Sequence, residues 1–293
     1  MRSATPKVLH PVAGKPMLAH VLTAAAALKS ASSGSGLAID YLDIHIVYGH
    51  AGEQVRAAMG TAMGVSDGSW SAEGEDLSVK WVHQAEQLGT GHAVAQALPG
   101  IPDTHTVLIL CADVPLITPT TLERLINAAI PSGALLTVSL ENPHGYGRVL
   151  REGGQDDIQD THSLVTGIVE ERDATDAQRR VKEVNSGVMC LPAASLKRWL
   201  SGLNTNNVQG EYYLTDCVAM AHEEGQSLSA VRVADPAEVQ GVNDRAQLAF
   251  VERAYQARQA DRLMREHGLT LADPGRFDLR GSLRVGQDCF VDS

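Results

Sequence analysis

An aspartate at the end of an apolar run can hold a carboxylate where ligands collect, and VLILCADVPL opens with such a run, VLILCAD, ending in Asp113. At the carboxyl edge of a buried parallel strand, that group reaches the crevice in which open α/β folds bind ligands. Asp113 is therefore a candidate ligand for Mg2+, a hard cation that takes one or two protein oxygens beside water and phosphate. It could equally cap the turn after the strand. QAEQLGTGHAV flanks Thr90 with Gly89 and Gly91 at a strand-to-helix turn. Backbone N–H groups there can face a ligand without side-chain obstruction, although many tight turns look the same. Gln84, six residues before Thr90, adds a carboxamide that can read both a donor and an acceptor on a base edge. At the N-terminus, PKVLHPVAGKP sets Lys7, His10 and Lys15 among Pro6, Pro11, Gly14 and Pro16, a local cationic spot suited to a phosphate.

Three shorter segments share a style. NPHGYGRV carries Gly147, TGIVEERDAT puts Glu170 at a strand end, and EVNSGVM puts Asn185 at a strand start. Glycine N–H, carboxylate and carboxamide together suit the hydroxyls and acetamido group of a sugar; singly, each is commonly a turn residue or a solvated charge. NNVQGEYYLTD reads as the start of a helix with Glu211 in the first turn, favourable to the helix dipole and structural in role. In VQGVNDRAQL the amide oxygen of Asn243 could complete a metal site, but residue type alone favours an N-cap of the long helix that follows.

Elements that could position these groups alternate along the chain. PMLAHVLTAAAALKS is helical and is broken by SSGSG; YLDIHIVYGH, LSVKWVHQ, HTVLILCAD and ALLTVSL are strands; AGEQVRAAM, GTGHAVAQAL and TPTTLERLINAAI are helices, the last with a threonine as candidate cap. Apolar strands without polar alternation, interleaved with helices, predict a mainly parallel sheet covered on both faces. After residue 143 the rhythm loosens into GRVLRE, LVTGIVE and VNSGVMCL as strands, with the polar stretch GGQDDIQDTH and the helix-like DATDAQRRV between them. EYYLTDCVAMAHEEG and the long NDRAQLAFVERAYQARQADRLMREHG read as helices. Leu279, Val285 and Val291 then recur every six residues, the period of a hexapeptide β-helix.

Composition narrows the function classes. The 293 residues are 44% hydrophobic and 20% charged, with a formal net charge of −11, which fits a globular protein with a sizeable core. That balance argues against nucleic-acid or membrane-surface binding, which favours a basic face. VLTAAAAL is too short to span a bilayer. The four cysteines form no CxxC pair and read as reduced thiols of a cytosolic protein. The eleven histidines show no zinc-ligand spacing.

In chain order, PKVLHPVAGKPM, QAEQLGTGHAV, CADVPLI, NPHGYGRV, GIVEERDAT, EVNSGV, NNVQGEYYLTD and GVNDRAQL resemble the uridylyltransferase region of the bifunctional bacterial N-acetylglucosamine-1-phosphate uridylyltransferase/glucosamine-1-phosphate acetyltransferase family. Eight co-linear motifs cover nearly the whole chain. The resemblance implies a Rossmann-like nucleotidyltransferase fold over residues 1–244, a linker helix over 245–274 and the start of a left-handed β-helix over 275–293. It implies a magnesium-dependent, cytoplasmic transfer of a uridylyl group from UTP to N-acetylglucosamine 1-phosphate, yielding UDP-N-acetylglucosamine for peptidoglycan and lipopolysaccharide (lipid A) precursors. Residue by residue, it implies that Lys7 contacts nucleotide phosphates as the catalytic cation, that Gln84, Gly89 and Thr90 bind uridine, and that Gly147, Glu170 and Asn185 hold the sugar. Asp113 and Asn243 would hold the metal, which reverses the capping reading of Asn243.

In that family a strand and a glycine-rich LAAGxGTRM loop with a catalytic arginine precede PKVLH, and a full β-helix builds the acetyltransferase and a homotrimer. Here Met1 aligns with the end of the loop motif. The expectation is a chain cut at both ends, monomeric and impaired in transfer, since one lost preorganised charge contact costs about 10²–10³ in rate. The alternatives are another sugar-phosphate nucleotidylyltransferase and a catalytically inactive nucleotide-sugar-binding fragment.

Overall fold

A computed structural model of the chain describes residues 1, 3–35, 39–72, 74–153 and 164–292. The polar stretch GGQDDIQDTH lies, apart from Gly153, outside the described residues. The N-terminal loop makes a 3-10 turn, Lys7–Leu9, then a tight hairpin of β1 (Pro11–Val12) and β2 (Lys15–Pro16). Ala13 and Gly14 at its tip have φ of 49° and 81°, as a two-residue turn between right-twisted strands requires. Next come α1 (Met17–Ser35), β3 (Asp43–Tyr48), α2 (Gly52–Met63), β4 (Trp70–Ala72), β5 (Glu75–His83), α3 (Thr90–Ala97) and β6 (Thr106–Ile109). Helix α1 ends at Ser35, inside the SSGSG stretch expected to break it.

The second half contains α4 (Pro119–Ala128), β7 (Ala134–Ser139), β8 (Arg148–Arg151), β9 (Val165–Val169), α5 (Asp176–Arg179), β10 (Glu183–Pro192), α6 (Ala193–Gly202), α7 (Asp216–Glu223) and β11 (Ser229–Arg232). It closes with α8 (Arg245–His267), β12 (Thr270–Leu271) and β13 (Phe290–Val291). Thr118 caps α4 by accepting from the N–H of Thr121, as its position predicts. The EYYLTD helix starts later than expected: α7 begins at Asp216, so Glu211 lies in a loop and not in a first helical turn.

The α/β reading holds, with a mixed sheet. The parallel pairings expected from strand–helix alternation occur in β3–β5 and β7–β11. The ten-residue β10 instead runs antiparallel to β6, β7 and β8. An apolar strand buried on both faces carries no sign of its direction, which is why the sequence pattern misses this. On β7 the side chains alternate: Leu136 and Val138 pack with Leu122 and Leu125 of α4, while Leu135 packs with Trp199 of α6 and Val218 of α7 on the other face. The core thus lies on both sides of this sheet.

Among the described residues, β3 pairs only with β5 and β6 only with β10, so the three-stranded sheet β3–β5–β4 and the six-stranded sheet present open edges. A cavity of about 930 Å3 is lined by residues of both edges, Ile44 and Ile46 from β3, Leu108 and Leu110 at β6, and by Leu22 and Leu28 of α1. Tyr41 and His105, just before the two strands, meet edge to face at 6.2 Å. Both strands therefore start together and run toward the end where Gln84, Thr90, Tyr146, Glu170 and Asn185 also line the cavity.

Candidate active site

The N-terminal loop is held in place by the last long helix. The N–H of Ala13 donates to Glu252 of α8 at 2.6 Å, and His20 donates to the carbonyl of Val12 at 2.8 Å. This anchoring sets Lys7 over the end of the VLILCAD strand. Its ammonium donates to Asp113 Oδ2 at 2.5 Å and to Asn243 Oδ1 at 3.0 Å. Residues 7, 113 and 243, distant in sequence, thus converge on one point. Asn243 is not the N-cap of α8: Asp244 is, accepting from the N–H of Gln247 within a full capping box. The neighbouring aspartate takes the cap and leaves the Asn243 amide oxygen free to face the cation. Asp113 likewise spends its carboxylate on Lys7, not on a turn; its backbone oxygen accepts from Val242, tying the two loops together.

The donor set fits a hard divalent cation. Asp113 and Asn243 already share a single positive charge, and Mg2+ needs few protein oxygens when water and phosphate supply the rest. Among the described residues there is no group of three or more His, Cys, Asp or Glu side chains arranged for a metal, so any metal here would rely on this mixed pair. The adjacent Cys111 is no nucleophile, because burial pushes its thiol up to about 12.

Along the cavity, Gln84 follows β5 and Thr90 begins α3. Gly89 has φ 110° and ψ 177°, a region only glycine enters readily. A Cβ there would lie 2.7 Å from the carbonyl oxygen of Tyr212. The GTG turn is pressed against residues 211–214: Tyr212 donates to Leu88 and Gly91 to Tyr212, both at 2.8 Å, and Leu214 donates to Thr90 Oγ1 at 3.1 Å. The segment after Glu211 is thus a structural support for the turn, through backbone bonding and not through a helix dipole.

Gly147, Glu170 and Asn185 also meet. The carbonyl of Gly147 accepts from the N–H of Asn185 at 2.9 Å. A Cβ on Gly147 would stand 3.3 Å from both Glu170 carboxylate oxygens. Burial raises the Glu170 carboxyl above its usual range, partly opposed by the hydroxyl of Thr215, which donates at 2.9 Å. Asn185 Oδ1 accepts from Gly187, inside a bulge of β10, which leaves the Asn185 NH2 as the side chain's donor for a ligand.

Three contributors were not singled out from the sequence. Thr215 holds Glu170; Tyr146 lines the cavity and receives a hydrogen bond from Gln240 at 3.3 Å. Arg148, 2% exposed, pairs with Glu171 at 2.5 Å and donates to the carbonyl of Tyr146. The GYGR run hints at Arg148, because an arginine starting a buried strand needs a partner. Thr215 has no such signal.

A MobA-like NTP transferase domain matches residues 1–152, half of the chain. The chain belongs to the MobA-like NTP transferase family. Members of that family are nucleotidyltransferases; Lys7 and Asp113 lie within the matched residues, and Asn243 lies beyond them. The chain is 50% identical over 292 residues to the bifunctional protein GlmU of Alkalilimnicola ehrlichii and 47% identical over 293 residues to that of Marinobacter nauticus. Both alignments cover all of this chain, which spans 56% and 57% of the relatives' lengths. The resemblance to the bifunctional family thus holds along the whole chain. The crystal structure of UDP-glucose pyrophosphorylase complexed with UDP-glucose has a similar fold, with a TM-score of 0.60 at 15% identity over 85% of this chain and 90% of that one. No helix among the described residues is long and apolar enough to cross a membrane.

Proposed function

We propose that this nucleotidyltransferase domain transfers a uridylyl group from UTP to N-acetylglucosamine 1-phosphate, releasing UDP-N-acetylglucosamine and pyrophosphate. The observation that carries the reading is the convergence of Lys7, Asp113 and Asn243 beside a cavity lined by Gln84, Glu170 and Asn185. A cationic corner next to a pocket of amides and one carboxylate suits a triphosphate whose base and sugar partner lie in the pocket. The likeness to two bifunctional GlmU proteins over the full chain supports the choice of base and sugar. In this reading residues 1–244 are the transferase unit, 245–274 the linker helix and 275–293 the start of a hexapeptide β-helix. Leu279 and Val285 pack against the cluster of Ala260, Leu263, Leu269 and Leu271 at the end of α8, in keeping with that boundary.

The phosphate of the sugar attacks the α-phosphorus of UTP in line, forming the new P–O bond as the bond to pyrophosphate breaks and its electron pair leaves with pyrophosphate. The attacking oxygen is already anionic, so no general base is needed. What the protein must supply is alignment of two polyanions and charge opposite the oxygens that become more negative. Lys7 provides a point charge for this. Asp113 and Asn243 would hold Mg2+, which when bound adds Lewis-acid charge on phosphate oxygens. Glu170 accepts from sugar hydroxyls, with Thr215 fixing its orientation, and the Asn185 NH2 donates to the acetamido carbonyl.

Calorimetry with UDP-N-acetylglucosamine, UDP-glucose and dTDP-glucose, followed by pyrophosphate release from UTP, tests this. The first ligand should bind tightest, and Asp113→Asn should lower turnover by about 10²–10³. Its melting temperature should move little, because a partly exposed ion pair contributes little to stability. Preference for dTDP-glucose, or an Asp113→Asn variant with full turnover, would rule the proposal out.

A further inference from the structure

Tyr146 is fixed at both ends. Arg148, paired with Glu171, donates to its carbonyl, and the Gln240 side chain holds its hydroxyl. Gln240 Nε2 lies 2.7 Å from the carbonyl oxygen of Gly241 and 3.3 Å from the Tyr146 hydroxyl. A carbonyl can only accept, so the NH2 end of that amide faces this way and the tyrosine oxygen accepts from it. Burial pushes the Tyr146 phenol up; the Gln240 bond opposes this, the Asp113 charge adds to it, and a bond from the Gly241 N–H opposes it again. The group therefore stays protonated, and its oxygen already accepts from the protein, so what it has left to offer is its own O–H. Among the described residues nothing accepts that proton, while the ring lines the cavity.

The hydroxyl stands between the two groupings of the site. On one side the chain after Gln240 returns to the cationic corner: a Cβ on Gly241 would lie 4.0 Å from Asp113 Oδ2, and the N–H of Val242 donates to the Asp113 carbonyl at 3.0 Å. On the other side Gly147, the next residue after Tyr146, adjoins Glu170 and Asn185. We propose that Tyr146 is a substrate-binding residue whose hydroxyl donates to an oxygen of the sugar's 1-phosphate, turning that phosphate toward the nucleotide. The inference rests on the uridylyl reading of this cavity. In that reaction the 1-phosphate is the group that joins the two sides, bonded to the sugar at one end and attacking the nucleotide at the other. A phenol held above its usual value does not surrender its proton to a phosphate, whose second pKa is about 6, so the attacking oxygen stays anionic while it is oriented. Were the hydroxyl only a brace for the loop 240–243, its loss would disturb Asn243 as well and weaken every nucleotide alike.

The test is calorimetric binding of UTP, UDP-N-acetylglucosamine and UDP-glucose to the wild-type chain and to Tyr146→Phe, which keeps the ring and removes the donor. In both UDP-sugars the phosphate next to the sugar is the former 1-phosphate, and UTP has no such group. Tyr146→Phe should weaken both UDP-sugars by the same factor, about tenfold or more, as loss of a hydrogen bond to a charged group does, and leave UTP binding as in wild type. If the variant does not fold, Tyr146→Leu gives the same comparison. Unchanged affinity for the UDP-sugars overturns the role of Tyr146 and leaves the uridylyl reading standing. So does an equal loss for all three ligands, which marks a brace, or a loss confined to UDP-N-acetylglucosamine, which assigns the hydroxyl to the acetamido group. If wild type binds none of the three, the uridylyl reading and the inference fall together.

Discussion

Replacing Gly89 by alanine puts a methyl group into the turn that opens α3, and the structure says where that group would go. The backbone there, at φ 110° and ψ 177°, costs an L-residue about 1–3 kcal/mol. The new Cβ would also stand 2.7 Å from the carbonyl oxygen of Tyr212, 2.9 Å from its nitrogen and 2.9 Å from Cβ of Glu211. None of these can retreat as a flexible side-chain end, because the 2.8 Å bonds Tyr212 to Leu88 and Gly91 to Tyr212 lock the two segments together. Overpacking of this kind adds about 1–3 kcal/mol, so the total is about 2–6 kcal/mol. Gly145 separates the two contributions: its φ is 85°, yet a Cβ there meets nothing within 4 Å. Gly145→Ala should therefore cost only the conformational part, about 1–2 kcal/mol. Urea unfolding of both variants measures the difference, and UTP binding follows the displacement of the Gly89 carbonyl from Gln84, whose Nε2 donates to it at 3.2 Å. Equal destabilisation at the two positions, or a Gly89→Ala protein within about 1 kcal/mol of wild type, would refute the steric argument.

Two carboxylates give opposite pH signatures. Burial alone would raise Glu183, but hydrogen bonds from Arg151 at 2.8 and 2.9 Å and from Thr137 at 2.7 Å outweigh it and hold the group below its usual range. Its contribution is present above the unfolded value of about 4.3 and is lost as pH falls through the lower folded value. Glu183→Gln removes the negative charge facing the buried Arg151 guanidinium and should cost about 1.5–3 kcal/mol at neutral pH, with the gap to wild type narrowing in acid-series urea titrations. Glu170 behaves the other way. Its carboxyl is raised by burial, so its contribution is full below about 4.3 and is lost as pH rises through the higher folded value. Glu170→Gln should unfold at a higher urea midpoint than wild type at neutral pH and at the same midpoint near pH 4, while binding UDP-N-acetylglucosamine more weakly.

Element identity was largely legible in the sequence because apolar runs and caps are local signals. Thr118 and the buried run before Asp113 are examples. What local signals missed was competition between neighbours. Asn243 and Asp244 are both good caps, and only the folded chain shows that Asp244 takes the helix while Asn243 faces Lys7. Glu211 looked like a first-turn acid, but pairing of Tyr212 with the GTG turn holds that segment extended until Asp216. The direction of β10 was invisible for a similar reason: direction depends on the connection, not on the hydrophobicity of the strand. The residues of the candidate site came from their motifs, while their grouping came from the fold. Lys7, Asp113 and Asn243 form one corner, and Gly147, Glu170 and Asn185 another. Tyr146 sits inside the GYGR run, yet its bond from Gln240 depends on a return of the chain that residue spacing alone does not give.

The open edges of β3 and β6 also bear on how the molecule holds together. With no ladder of backbone bonds between them among the described residues, the two sheets are joined through helices and loops, and the cavity occupies the space between them. Gln84 comes from the three-stranded side, while Tyr146 and Asn185 come from the six-stranded side. A ligand touching all three acts as a strut across the seam. Occupancy and cohesion of the two halves are then one equilibrium: a ligand at 100 times its dissociation constant adds about 2.7 kcal/mol to the folded state by mass action.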